Sequence, residues 1–126
     1  MNLVDSSAWI EYLVDGPNAE SWVEPIGAID VLVVPTIVMT EVLRWAHAHS
    51  HDALLDQIES LLSRGLVIDL DPEIASQAAR VGIAHRLPLA DSIVYATAQR
   101  HDAIVWTQDS DFEGLPGVRF VPTHPV

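Results

Sequence analysis

The chain has no cysteine and no lysine. Without cysteine there is no disulfide and no thiolate metal site, a composition that fits a reducing cytoplasm. Without lysine there is no phosphate-binding loop, whose Gly-rich segment must end in Lys-Ser or Lys-Thr. A phosphoryl-transfer domain on a similar sheet normally adds a lysine that neutralises its phosphoryl group, and this chain has none. All six basic residues are arginine: Arg44, Arg64, Arg80, Arg86, Arg100 and Arg119. Against them stand 18 Asp and Glu, for a net charge of −12. Such a balance is poor for passive, charge-driven binding to nucleic acid. It suits a protein that takes up cations or a basic partner, or one merely kept soluble by its charge. Long apolar runs are missing too. The longest, Val31 to Met39, is broken by Pro35 and Thr36 and is too short to span a bilayer. The opening Met1-Asn2-Leu3-Val4-Asp5 has no basic segment ahead of an apolar one, so no secretory leader is expected. These absences together predict a cytoplasmic protein with no membrane segment.

What is present is a globular pattern. Hydrophobic residues make up 49% of 126 residues, enough for one domain, 1–126, with a single core. Asn2-Leu3-Val4 reads as a strand with Asp5 at its carboxyl end. Ser6 or Ser7 is expected to cap a helix over Ala8–Leu13, and Asn18 a second over Ala19–Ile26. The β-branched run Val31–Val34 reads as a buried strand of a parallel sheet. From Pro35-Thr36 to His47 the spacing of Ile37, Val38, Val42 and Trp45 predicts a helix, with Glu41 on its apolar stripe. A further helix over Asp52–Ser63 stops at Gly65, and Leu66-Val67-Ile68 is a third strand. Asp71-Pro72-Glu73 opens a helix that runs to His85.

Pro88 opens the next helix, with Leu89, Ile93 and Ala96 on its apolar face. Asp91 lies in its first turn, where the positive end of the helix dipole should keep a carboxylate ionised. Ala103–Trp106 is a fourth strand, Val118–Val121 a short last one, and Pro122 onward a tail. Strands alternate with helices and no hairpin signal occurs. The expected architecture is α/β: a three-layer α/β/α sandwich around a parallel sheet of four to five strands.

Open parallel sheets bind ligands beyond the carboxyl ends of their strands. Asp5 ends the first strand there, and Asp109 and Asp111 follow the fourth. Glu41 on its inward stripe and Asp91 at its helix start both need a partner once buried. If the fold brings these acids together, they cannot all stay ionised without a cation. Hard oxygen ligands of this kind suit Mg²⁺ or Mn²⁺ rather than zinc. Plainer explanations exist for each residue. Taken singly, Asp5, Asp91 and Asp109 are explained as well by capping or turn formation, and Glu41 by a buried arginine. His47 and His51, four apart, have metal-ligand spacing, although such a pair at a helix end is usually a surface cluster. Trp9, Trp22, Trp45 and Trp106 read as core or interface anchors.

Four stretches taken in order carry a resemblance: Val4-Asp5-Ser6-Ser7, Thr40-Glu41-Val42, Leu87-Pro88-Leu89-Ala90-Asp91-Ser92-Ile93 and Thr107-Gln108-Asp109-Ser110-Asp111-Phe112. Each is weak alone, but the ordered set covers the chain and resembles the motifs of PIN-domain nucleases, in size and order the VapC-type toxins of toxin–antitoxin pairs. The resemblance implies that Asp5, Glu41, Asp91 and Asp109 form a catalytic acidic site, with Asp5, Asp91 and Asp109 holding Mg²⁺ or Mn²⁺. Asp111 then helps hold the metal or shapes the loop, and Ser6 or Ser7 orients water beside Asp5. It implies cleavage of RNA to 3′-hydroxyl and 5′-phosphate products and silencing by a cognate antitoxin; a homodimer is expected. The helix after Asp5 is expected to leave an apolar groove lined by Trp9, Tyr12 and Leu13, along which an antitoxin lies while an arginine enters the acids. The alternatives are a non-catalytic interaction module on the same fold and a phosphoryl-transfer domain.

Overall fold

The computed structural model describes residues 1–123. The strands are β1 (Asn2–Val4), β2 (Leu32–Pro35), β3 (Leu66–Ile68), β4 (Ile104–Thr107) and β5 (Val118–Phe120). The helices are α1 (Ser6–Leu13), α2 (Glu20–Gly27), α3 (Thr36–Ala48), α4 (Leu55–Leu62), α5 (Pro72–His85) and α6 (Leu89–Arg100). Single 3-10 turns stand at Ile29–Val31, Asp52–Leu54 and Ser110–Phe112.

All strand pairs are parallel, in the order β3-β2-β1-β4-β5. Leu3 lies between Val33 on β2 and Val105 on β4. The sheet is therefore parallel, as expected, with five strands where four to five were expected, and it is flanked by six helices. Steps from β1 through β2 to β3 run one way along the sheet, and the return from β3 to β4 runs the other. With right-handed crossovers, the two sets of helices fall on opposite faces. The direction of winding changes between β1 and β4, so the crevice of the sheet opens beyond their carboxyl ends. Leu3, Val4, Val33, Val34 and Val105 form the middle of the core, closed by the fully buried Trp9, Trp22 and Phe112.

Several local expectations are corrected. Asp5, not Ser6 or Ser7, occupies the cap of α1, and both serines lie in its first turn. Asn18 is not the cap of α2. It is buried, and its amide donates to Gln108 Oε1 at 3.3 Å and to the Pro122 carbonyl at 2.9 Å. Val31 belongs to a 3-10 turn and the strand starts at Leu32. The segment from Asp52 begins as a 3-10 turn, with α4 starting at Leu55. Asp71 does cap α5, accepting from the Ile74 N–H at 2.8 Å. Leu89 leaves the apolar face assigned to it and is 81% exposed. Trp9 is fully buried, so the groove expected beside Asp5 loses its largest wall; Tyr12 and Leu13 are half-buried.

His47 and His51 do not pair. His47 Nδ1 lies 2.7 Å from Asp52 Oδ1, while His51 stacks on Trp45. Trp22 is core like Trp9, whereas Trp45 and Trp106 are half-buried. Of the tail, Pro122 and Thr123 are described and residues 124–126 lie outside the described residues.

Candidate active site

Asp5 continues β1 by one ladder bond, its N–H donating to the Trp106 carbonyl at 3.0 Å. Its own carbonyl then accepts from the N–H groups of Ala8 and Trp9, which starts α1. The side chain is thereby pinned where strand turns into helix, 2% exposed. Its two oxygens are treated differently. Oδ2 accepts from Ser7 Oγ at 2.9 Å and from Thr107 Oγ1 at 2.8 Å. Oδ1 is buried with no hydrogen-bond partner among the described residues. Burial pushes the Asp5 carboxyl up from the usual range, against the Thr107 and Ser7 hydroxyls, and the Asp109 charge adds to the rise.

Thr107 joins the two sides of the crevice. Its hydroxyl donates to Asp5 Oδ2 and accepts the Asp109 N–H at 2.9 Å. Ser7 Oγ lies 3.3 Å from it and accepts the Gln108 N–H at 3.3 Å. Sequence reasoning gave Thr107 no role, although a polar residue closing the apolar run Ile104-Val105-Trp106 was a usable signal. Asp109 itself accepts from the Asp111 N–H at 2.9 Å, so it caps a turn and faces the site at once.

Asp91 enters from α6, 8% exposed. Carboxylate oxygens of Asp91, Asp109 and Asp111 all lie within 4.8 Å of one another. Burial, then the charges of Asp109 and Asp5, a hydrogen bond with Asp109 and the charge of Asp111 push the Asp91 carboxyl up to about 8. The expectation that the helix dipole keeps it ionised is thus overturned: in the metal-free protein burial and like charge win. Glu41, half-buried on α3, is raised by burial and then by the Asp5 charge, with the Ser6 hydroxyl opposing and Asp109 adding. Its Oε1 is buried without a partner, and no arginine pairs with it among the described residues.

The fold therefore brings together all the acids singled out in the sequence. Asp91, Asp109 and Asp111 form the tightest group, with Asp111 exposed at its edge. Asp5 and Glu41 stand behind them, close enough for their charges to be felt. The donor set consists of carboxylate oxygens; among the described residues Asp5 Oδ1 and Glu41 Oε1 lack partners and no basic side chain is paired to the site. These features fit a hard divalent cation.

Comparison with known proteins agrees with this geometry. The family model described as PIN domain matches residues 3–118. No curated protein matches the chain. Among solved structures, it is similar to a chain of the toxin–antitoxin complex from Klebsiella pneumoniae, with 25% identity, a TM-score of 0.81 and coverage of 94% of this chain and 96% of that one. It also resembles a chain of the DNA-bound VapBC from Salmonella typhimurium, at 19% identity, TM-score 0.69 and coverage of 97% and 98%. A third neighbour is a chain of FitAcB from Neisseria gonorrhoeae, at 22% identity, TM-score 0.66 and coverage of 88% and 89%. No helix among the described residues is long and apolar enough to cross a membrane.

Proposed function

Because this chain belongs to the PIN-domain family, we propose that it is a Mg²⁺- or Mn²⁺-dependent endoribonuclease, the toxin of a toxin–antitoxin pair, and that residues 1–126 work as one cytoplasmic nuclease domain. The observation that carries the reading is the crowding of Asp5, Glu41, Asp91, Asp109 and Asp111, with no basic side chain paired to them and two buried carboxylate oxygens left unpartnered among the described residues.

Asp5, Asp91 and Asp109 are the proposed metal ligands, with Asp111 at the open edge. The bound ion supplies charge neutralisation at the phosphate and a water acidified toward neutral pH. Ser7 and Thr107 tie down Asp5 Oδ2 and so aim Oδ1 into the site. Glu41, raised above the usual carboxylate range, is suited to orient the attacking water and take its proton. Attack on phosphorus with departure of the 3′ oxygen leaves a 3′-hydroxyl and a 5′-phosphate. Ser6 stands beside Glu41, where its hydroxyl favours the ionised form that a base needs.

The proposed silencing partner is a cognate antitoxin that places an arginine among these carboxylates. A guanidinium pairs bidentately with carboxylate and competes with the metal for it. Structural likeness to a chain of the Klebsiella pneumoniae toxin–antitoxin complex supports this partner.

The test is cleavage of single-stranded RNA by pure protein with Mn²⁺, with chelator, and with Asp5→Asn. Cleavage by the metal-loaded wild type, lost in the other two, is expected. A metal-loaded wild type that leaves RNA intact would favour the non-catalytic interaction module.

A further inference from the structure

Six polar side chains are buried among the described residues: Asp5, Asn18, Asp91, Ser92, Thr97 and Thr107. Asp5, Asp91 and Thr107 belong to the acidic crevice. Ser92 and Thr97 bond back by one turn, Ser92 Oγ to the Pro88 carbonyl at 2.9 Å and Thr97 Oγ1 to the Ile93 carbonyl at 2.7 Å. Of the six, Asn18 alone stands outside the crevice and still reaches beyond its own segment. A buried amide is costly unless its donors find acceptors. Those of Asn18 find two, 90 and 104 positions along the chain.

The backbone of Asn18 is fixed independently of its side chain. Its N–H donates to Glu11 Oε2 at 3.0 Å, and the Glu11 carboxylate fills the space that a Cβ at Gly16 would need. The turn between α1 and α2 is thereby closed onto α1. From this anchored turn the amide spans to Gln108 Oε1 at 3.3 Å and to the Pro122 carbonyl at 2.9 Å. Gln108 is held a second time, its N–H donating to Ser7 Oγ at 3.3 Å, and Ser7 Oγ donates to Asp5 Oδ2 at 2.9 Å. Pro122 follows Val121, whose N–H donates to the Thr107 carbonyl at 3.0 Å. Asn18 thus clamps together the α1–α2 turn, the segment leaving β4 and the segment leaving β5.

We propose that Asn18 is a positioning residue for the acidic site: through Gln108 it holds the turn that presents Asp109 and Asp111. Carboxylate oxygens of these two residues and of Asp91 lie within 4.8 Å of one another, and like charges at that range push apart. Asp91 is set in the twelve-residue α6, whereas Asp109 and Asp111 belong to a single 3-10 turn and its cap. The far end of that turn is anchored by the fully buried Phe112. Asn18 and Gln108 anchor the near end, so the turn resists swinging outward and less binding free energy is spent on reordering it around an ion. The proposal rests on the metal-binding reading of the crevice and not on RNA cleavage.

Calorimetric Mn²⁺ titration and NMR amide exchange of the full chain test it, with Asn18→Ala, Gln108→Ala and the double variant. Each single variant is expected to weaken Mn²⁺ binding roughly tenfold. The double variant should lose little more than either alone, since both changes remove one contact. Gln108 is half-buried, so its variant reports on that contact even where Asn18→Ala fails to fold. In the metal-free protein the Asp109 and Asp111 amides should exchange faster in both single variants, by local loosening. A purely structural Asn18 predicts instead faster exchange at core amides such as Leu3 and Val33, unchanged exchange at Asp109 and Asp111, and unaltered Mn²⁺ affinity. That pattern, or losses that multiply in the double variant, overturns the proposal. A wild type that takes up no Mn²⁺ refutes the metal reading itself, and exchange at the Asp109 and Asp111 amides still decides whether Asn18 holds the turn.

Discussion

The crevice beyond β1 and β4 and the clamp at Asn18 meet at Gln108, yet they obey opposite rules. In the crevice, Asp5 and Asp91 are ionisable groups held out of water, where their ionised forms are costly. At the clamp, Asn18 is a neutral group held out of water with acceptors for its amide. The crevice departs from what a stable isolated domain would choose, and the departure points to a cation bound there; the clamp makes no such departure. Substitutions should therefore separate them. Changes in the crevice should trade function for stability, whereas changes at the clamp should lower both, because they leave a buried hydrogen-bonding group without its partner.

The largest expected effect is in the crevice. Asp5→Asn keeps the size of the side chain and its position in the cap of α1 but removes the charge, and RNA cleavage should fall below detection while the fold persists. Glu41→Gln removes the proposed base without removing a principal ligand, so cleavage should drop roughly 10²–10⁴-fold while Mn²⁺ binding, followed by calorimetry, largely survives. A Glu41→Gln enzyme with near wild-type rate would remove Glu41 from the chemistry.

Thr107→Val should act on the metal and not on the base. It takes away the hydroxyl shared by Asp5 Oδ2 and the Asp109 N–H. Mn²⁺ affinity is expected to fall roughly 10–100-fold, and Thr107→Ser to restore most of it. Equal losses in Val and Ser variants would mean that Thr107 only packs. Ile83→Asp, at a side chain of α5 already 86% exposed, is the control, since Mn²⁺ affinity measured in the same way should not move.

Proton linkage gives a prediction for the metal-free protein. The Asp91 carboxyl titrates near 3.8 when unfolded and near 8 when folded, so between these values the folded chain binds more protons. Stability from this group is fully present below the unfolded value and is lost as pH rises toward 8. Asp5 and Glu41, also raised, contribute in the same direction. Thermal melts without metal should therefore fall across that window, Mn²⁺ should restore the midpoint at its upper end, and Asp91→Asn should flatten the slope. A metal-free midpoint that rises with pH would contradict the crowding of these acids.

The smallest effect belongs to His47, whose exposed pair with Asp52 is worth roughly 0.2–1 kcal/mol. His47→Ala should leave Mn²⁺ affinity untouched.

The acids were legible because each departs from its local pattern: Asp5 closes an apolar run, Glu41 interrupts an apolar stripe, and Asp91 opens a helix that is otherwise small and apolar. The parallel α/β class was legible for a similar reason, in the alternation of short apolar runs with helical periods. Strand order was not. It depends on which buried faces match, and only the placement of β1 between β2 and β4 puts Asp5 beside Thr107 and Asp109. Local rules also misread Asn18 and Leu89. Asn18 has the right residue type for a cap, but distant acceptors on Gln108 and Pro122 take its amide. Leu89 has the right spacing for the core, but it sits beyond the edge of what the sheet covers. The expected ionisation of Asp91 failed for the same kind of reason: the helix dipole is read from one segment, whereas the opposing charges come from two others, at Asp5 and at Asp109 and Asp111.

The hydrogen bond from Thr107 to Asp5 spans 102 positions of the chain. Its consequence is one of timing during translation. Synthesis delivers Asp5 102 positions ahead of Thr107, so a growing chain holds an incomplete crevice until β4 has left the ribosome. Parallel pairings this distant in sequence also form slowly. The nuclease proposed above would therefore be harmless to its own message and ribosome until β4 has emerged, and the proposed antitoxin would have to win only the interval between that emergence and capture of the ion.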